Sequence, residues 1–198
     1  PHDLFDVVAA YAHRNQGNYF AGKKGQDRYR TYDRYGDEES TVASTYNAGE
    51  EVLNSSAETE SWLLKTTIRP TDEHTFDLGY QRYNGHIGEI MPSDIFRFGT
   101  GGIYQYPLGH TKIDTYTARY NYLPSANPLV DLTASLWMTD AQTSNLTSVL
   151  APVSQAYRSD RNWTRQADRR IGGDLANTSL FETNYGGFKL DVGGAFQV

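Results

Sequence analysis

The chain has 198 residues, a formal net charge of −6 and no cysteine. The lack of cysteine excludes disulfide scaffolds, thiolate zinc sites and cysteine nucleophiles, and the dispersed basic residues argue against a nucleic-acid partner. No apolar run approaches the roughly 18 residues that a membrane helix needs. Aromatic residues make up 13% of the chain, and 15 of them are tyrosine. The apolar ring and polar hydroxyl of tyrosine suit interfaces between an apolar phase and water.

Seven segments alternate between apolar and polar residues, which is the period-two pattern of half-buried β-strands. In the clearest one Val130, Leu132, Ala134, Leu136 and Met138 alternate with mostly polar neighbours. In chain order the segments are 5–12, 62–69, 76–81, 115–122, 129–139, 178–183 and 188–197. The sequence therefore predicts an all-β fold with an antiparallel sheet of about seven strands.

The predicted connections alternate between short and long. Short turns rich in Pro, Asn, Asp and Gly are predicted at 70–73, 123–128 and 184–187, and long polar loops at about 15–58, 85–113 and 140–175. Loops of that length are uncommon in a compact soluble domain, whereas outer-membrane barrels have short periplasmic turns and long extracellular loops. Strands of about 9–11 residues also match a tilted bilayer crossing. The pattern favours a transmembrane β-barrel segment.

Charged residues fall on one side of the alternating segments. We expect this side to face a lumen, and it carries Lys65, Arg69, Asp77, Arg119, Asp131, Lys189 and Asp191. A soluble β-sandwich with one hydrated face would alternate in the same way. A secreted β-sandwich that binds carbohydrate through exposed Tyr and Trp is therefore the alternative hypothesis. An enzyme acting on polysaccharide is a third, but no positioned carboxylate pair favours it.

Three stretches resemble the barrel of TonB-dependent outer-membrane receptors. Residues 6–22 (DVVAAYAHRNQGNYFAG) are similar to an early strand that runs into an extracellular loop. Residues 62–83 (WLLKTTIRPTDEHTFDLGYQRY) and 116–139 (YTARYNYLPSANPLVDLTASLWMT) resemble the family's hairpins around a short periplasmic turn. The Phe-Arg-Ala-Pro and Asn-Pro-Asn-Leu boxes of many haem receptors are absent as such, with partial matches at 96–98 and 127–129.

The resemblance implies a barrel of about 22 strands, closed by an N-terminal plug and driven through the TonB complex. About seven strands cannot close such a barrel, so we expect residues 1–198 to be a portion of a longer transmembrane domain whose plug and other strands lie elsewhere. The implied location is the outer membrane of a Gram-negative bacterium, in contact with its lipid. The implied function is import of an iron-bearing small molecule or of haem from a haem protein, with no permanently bound cofactor.

No catalytic motif is present in the sequence, neither a nucleophile elbow nor a zinc-protease signature nor a phosphate-binding loop, so an enzyme is not expected. The loop predicted at 85–113 is the best candidate for contact with a ligand. Its candidate residues are His86, His110, Tyr104, Tyr106, Arg97 and Phe96. Haem iron accepts His or Tyr as an axial ligand, and His86 and His110 are the predicted axial pair. A ferric siderophore would instead suit the Tyr, Phe and Arg residues.

Overall fold

The computed structural model describes residues 4–24, 34–37, 46–88, 105–148 and 162–198, and these residues form one seven-stranded sheet. The strands are β1 (Phe5–Gln16), β2 (Ala57–Thr71), β3 (His74–Ile87), β4 (Gly109–Tyr122), β5 (Leu132–Ser148), β6 (Asn162–Thr183) and β7 (Gly186–Gln197). Each strand pairs antiparallel with the next along the chain. The predicted all-β fold and the predicted number of strands are confirmed.

The sheet is open, because β1 and β7 lie at its two edges and do not pair with each other. Within the described ranges only Tyr46, Val52 and Leu146 are buried apolar side chains, and the first two lie in a loop rather than on the sheet. The sheet is therefore held together by hydrogen bonds between neighbouring strands rather than by a second layer packed against it. No helix in this part of the chain is long and apolar enough to cross a membrane.

The short and long connections alternate as predicted, but the loop bounds differ. Short connections cover 72–73, 123–131 and 184–185, and longer ones cover 17–56, 88–108 and 149–161. The predicted loop at 140–175 is wrong, because β5 extends to Ser148 and β6 begins at Asn162. The strands have 12 to 22 residues rather than 9–11. Beyond Met138 both faces of this hairpin are largely polar, so the strand continues without the alternation that reveals it in the sequence.

The register of the sheet gathers the apolar residues onto one face. One row across all seven strands contains Val7, Thr66, Leu78, Ala118, Leu136, Gly173 and Phe196. We call this side the apolar face. Its apolar band is the part between the row of His74 and Tyr122 and the row of Tyr80 and Tyr116, and the described residues of the band include no Asp, Glu, Lys or Arg.

The opposite side, the polar face, carries the predicted lumen residues. Lys65, Asp77, Arg119 and Asp191 all lie on it, and the ion pair of Arg69 with Asp6, at 2.6 Å, lies on the same side. Thr67 donates a hydrogen bond to Asp77 at 2.5 Å. The prediction that the charges share one face is confirmed for these residues and for Lys189, whereas Asp131 lies in the connection before β5 and not in a strand.

Trp137 is a large aromatic residue on the polar face, and a glycine on the neighbouring strand leaves space for its ring. It lies opposite Gly172 on β6, and a Cβ atom added to Gly172 would come within 2.5 Å of the indole Cζ2 atom. Close cover of a strand glycine by an aromatic ring is a known way of stabilising a sheet at a position with no side chain. By contrast, a Cβ atom at Gly194 would meet nothing within 4 Å.

We therefore predict that Gly172→Ala destabilises the full-length protein by about 1–3 kcal/mol through overpacking, whereas Gly194→Ala stays within about 0.5 kcal/mol of the wild type. Urea unfolding followed by tryptophan fluorescence measures both. Equal unfolding midpoints for the two variants would contradict the packing of Trp137 on Gly172.

Candidate ligand-binding site at the loop end of the sheet

A row of charged residues borders the apolar band at the end of the long connections. This charged row lies on the apolar face and consists of Arg82 on β3, Asp114 on β4, Asp140 on β5 and Arg169 on β6. Tyr11 and Trp62 complete the row on β1 and β2, with their ring centroids 4.3 Å apart. The apolar surface thus ends abruptly on four adjacent strands at once.

The two carboxylates at the centre of the charged row would repel each other if they were unpaired, because Asp114 lies directly opposite Asp140. Arg82 donates from Nε to Asp114 at 2.7 Å, and Arg169 donates from Nε to Asp140 at 2.9 Å. Each carboxylate is therefore neutralised by an arginine on its outer side. The resulting order of charges along the row is plus, minus, minus, plus.

Asp114 has the most enclosed carboxylate of the charged row, with 11% of its side chain exposed. Besides Arg82 it contacts the Tyr80 hydroxyl at 2.8 Å and Lys112 Nζ at 3.3 Å. The hydrogen bonds from Arg82, more than any other contact, lower the pKa of Asp114 from 3.8 to about 2. Hydrogen bonds and positive charges favour the ionised form, so this carboxylate stays charged in all but strongly acidic solution.

His86 and His110 lie opposite each other two rows beyond the charged row. Their rings stack with centroids 4.4 Å apart and planes 9° apart. Nε2 of His110 is 2.7 Å from Oδ1 of Asn84, whereas the more exposed His86 ring has no hydrogen bond among the described residues. Burial, followed by the nearby His86 and Lys112, lowers the pKa of His110, which favours its neutral ring.

The predicted ligand residues do not all lie in the predicted loop. His86 and His110 belong to strands rather than to a loop, because the connection between β3 and β4 begins only at residue 88. The backbone of Tyr106 is held at the stem of that connection, where its N–H donates to Asn54 Oδ1 at 2.6 Å. Phe96, Arg97 and Tyr104 lie outside the described residues.

Asn54 connects two of the long loops, and sequence reasoning missed it. It is buried, with a φ of 64°, and exchanges hydrogen bonds with Gln105: its N–H donates to Oε1 and its Oδ1 accepts from Nε2, both at 3.0 Å. Tyr46 and Val52 are buried in the same loop. Asn tolerates the left-handed conformation, but no periodic pattern marks such a position in a sequence.

The side chains at this end of the sheet provide histidine nitrogen atoms as potential metal ligands. Among the residues with described positions, no group of three or more His, Asp or Glu side chains is arranged to hold a metal ion. Imidazole is a suitable axial ligand for haem iron, whose other four ligands come from the porphyrin.

The low pKa of Asp114 predicts how stability depends on pH. Because the folded-state pKa lies below the unfolded value, the stabilisation is present above about pH 4 and is lost as the pH falls towards 2. We expect Asp114→Asn to cost about 2 kcal/mol at pH 7 and to remove this acid-dependent loss. The control is Asp168→Asn, because the Asp168–Arg170 pair is exposed and worth about 0–1 kcal/mol. Acid unfolding curves of the three full-length proteins test this, and identical curves for wild type and Asp114→Asn would contradict it.

Comparison with known protein families finds no family model that matches this chain. The chain is 39% identical over 160 residues to the hemophilin receptor of Acinetobacter baumannii. The match covers 79% of this chain and 15% of the receptor. The chain thus spans about a seventh of the length of the curated relative it matches, and over most of its own length it is similar in sequence to a segment of a bacterial receptor.

Proposed function

We propose that this chain is part of the transmembrane barrel of a TonB-dependent outer-membrane receptor that imports haem taken from a protein at the cell surface. The observation that carries the proposal is the apolar band, which is free of charge, bordered by aromatic residues and ended by a charged row on the same face. A membrane barrel has an outward apolar band between aromatic girdles, with long loops outside the cell.

The height of the band supports a membrane crossing. On β4 the band runs from Tyr122 to Tyr116, a distance of about 20 Å along the strand. On β6 the same face stays free of charge for longer, from Ile171 to Phe181, a distance of about 34 Å. A tilt of about 40° reduces these lengths to about 16 Å and about 26 Å across the membrane, against a band of about 25 Å in outer-membrane barrels. The apolar face of β6 is therefore long enough to cross the hydrocarbon layer.

Aromatic residues border the band at both ends. At the end of the short turns, His74 stacks on Tyr122 with ring centroids 4.5 Å apart, and Phe76 on Tyr120 at 4.7 Å. At the loop end, Tyr80 and Tyr116 have centroids 5.0 Å apart, and the Tyr80 hydroxyl donates out of the band to Asp114. An apolar ring with a polar tip is what the membrane interface favours.

If the sheet lies in lipid, its two open edges need further strands as hydrogen-bond partners. In lipid every backbone polar group needs a partner within the protein, and β1 and β7 each leave one side without a strand. Since the chain spans 15% of its relative, we propose that the other strands, the plug and the contact with the TonB complex belong to the rest of a longer protein. The resemblance of the hairpins to TonB-dependent receptors supports this arrangement.

The ligand is proposed from the relative and from the histidine pair. The relative is named a receptor for hemophilin, a name that points to haem or a haem protein and to binding rather than bond chemistry. His86 is the exposed member of the pair, and its stacking on His110 fixes the plane of its ring. We propose His86 as an axial ligand during capture at the cell surface, with His110 as its support. A ferric siderophore is the second candidate.

A soluble carbohydrate-binding β-sandwich is the competing function. A sandwich needs a second sheet packed on the apolar face, and in the described part of the chain Leu136 and Leu78 of the apolar band are 58% and 45% exposed. The two hypotheses make opposite predictions for a charge placed on this face.

We predict that Leu136→Arg lowers the amount of full-length receptor assembled in the outer membrane, because arginine near the bilayer midplane costs about 2–4 kcal/mol. The matched control is Ser135→Arg, one residue away on the polar face, which should assemble like the wild type. Heat-modifiable mobility in gels of outer-membrane fractions reports assembly. Normal assembly of Leu136→Arg would reject the membrane crossing.

For the ligand, we predict that titration of haem into the full-length receptor produces a Soret shift that His86→Ala abolishes and His110→Ala weakens, because the ring of His86 is the more exposed of the stacked pair. The control is His74→Ala at the opposite end of the sheet, which should give the wild-type spectrum. Wild-type spectra for both His86→Ala and His110→Ala would remove these residues as haem ligands while leaving the membrane crossing untouched.

A further inference from the structure

We infer that the rim of the apolar face at the loop end binds the phosphate groups of an anionic lipid in the outer leaflet, with the acyl chains of that lipid against the apolar band. The inference rests on the proposed membrane crossing and adds a lipid site to it. The cations concerned are Lys112, Arg169 and Arg82.

On β3 to β6 the rim presents its positive charges outward and withdraws its negative ones, whereas on β2 the same face carries Glu60 and the exposed Glu58. In the Arg169–Asp140 pair the arginine is 65% exposed and the aspartate 19%. In the contacts of Asp114, Arg82 is 41% and Lys112 37% exposed, against 11% for the carboxylate. A molecule approaching the face over β3 to β6 therefore meets ammonium and guanidinium groups first, although the acids beneath them partly offset the charge.

Other Arg and Lys ion pairs in the described ranges lack this asymmetry. Arg170 and Asp168 are 61% and 57% exposed, and Lys189 and Asp191 are 61% and 62% exposed. In the pair of Arg69 with Asp6 the acid is the more exposed partner. The Arg170–Asp168 and Lys189–Asp191 pairs lie on the polar face, and Asp6 of the third pair lies there too. Among these described pairs, the cation is the clearly more exposed partner at the border of the apolar band.

The position of these cations selects a lipid rather than a free anion. The row of Tyr80, Tyr116 and Met138 lies immediately beneath the charged row, so a headgroup bound there would have its acyl chains on an apolar surface. Basic residues next to a membrane interface attract anionic headgroups. Arg82 and Arg169 are separated by three strand spacings, or about 14 Å, so the rim can contact more than one phosphate of a headgroup.

The test uses the full-length receptor in detergent, with diphosphoryl lipid A as the probe and native mass spectrometry to count bound lipid. The variant is Arg169→Gln combined with Asp140→Asn, which removes the outward cation without leaving an unpaired carboxylate or changing net charge. The control is Arg170→Gln with Asp168→Asn, which removes an equally exposed arginine from the polar face. Lys112→Gln is a second rim variant, and heat-modifiable mobility verifies that each protein is folded.

We expect the rim variants to retain about fivefold less lipid A than the wild type, and the control to retain the wild-type amount. Dephosphorylated lipid A should bind the wild type as weakly as lipid A binds the rim variants. Equal retention by rim and control variants, or equal retention of the two lipids, would overturn the inference. Displacement of lipid A by the same concentration of inorganic phosphate would show a free-anion site and overturn it as well.

These results are distinguishable from failure of the proposed membrane crossing. Failure of the crossing appears as normal assembly of Leu136→Arg. If only the lipid inference fails, Leu136→Arg still lowers assembly in the outer membrane, but the variants of Arg169 and Lys112 retain as much lipid A as the wild type.

Discussion

The antiparallel hydrogen-bond ladder between consecutive strands is the constraint on which the rest of this structure depends. The described part of the chain has no second layer over the sheet, so register rather than core packing decides where each side chain lies. A slip of one residue would move every side chain of a strand to the other face. The uninterrupted register from Tyr80 and Tyr116 to Met138 and Ile171 therefore keeps charge out of the apolar band.

The charged row depends on the same register. It brings Asp114 opposite Asp140, a repulsive arrangement that is tolerated because Arg82 and Arg169 flank the two carboxylates. Above this row the strands continue with polar residues on both faces, and the histidine pair lies there on the same side as the apolar band. The proposed membrane contact, the charged row and the proposed haem capture are therefore arranged in successive rows of one sheet face.

Much of the fold could be predicted from the sequence, and the reason is physical. Where one face is apolar and the other polar, as from Leu132 to Met138, alternation identifies the strand and the orientation of its residues. Where both faces are polar, as from Asp140 to Ser148 and from Asn162 to Arg170, this signal vanishes, and the prediction of a loop at 140–175 was wrong. The strand there depends on cross-strand partners such as Asp140 and Arg169, which are 29 residues apart and invisible to a local pattern.

The site was predictable only in part. Residue type pointed to His86 and His110, but their stacking comes from the β3–β4 register and could not be predicted from spacing in the sequence. The burial of Asn54 and the unequal exposure within the ion pairs are properties of the folded chain alone. Whether any of these residues binds a ligand remains a prediction, and all of the proposed roles depend first on the apolar face lying in lipid.

The most direct test of that claim is a spin-label scan of residues 131–140 on and beside β5, in the full-length receptor in outer-membrane vesicles. The account predicts that labels at 132, 134, 136 and 138 are accessible to oxygen and shielded from a water-soluble nickel chelate. Labels at 133, 135 and 137 should lack this lipid signature, and a label at 140 should contact water. Equal accessibility to the nickel chelate at odd and even positions would contradict the assignment of the apolar face to the membrane.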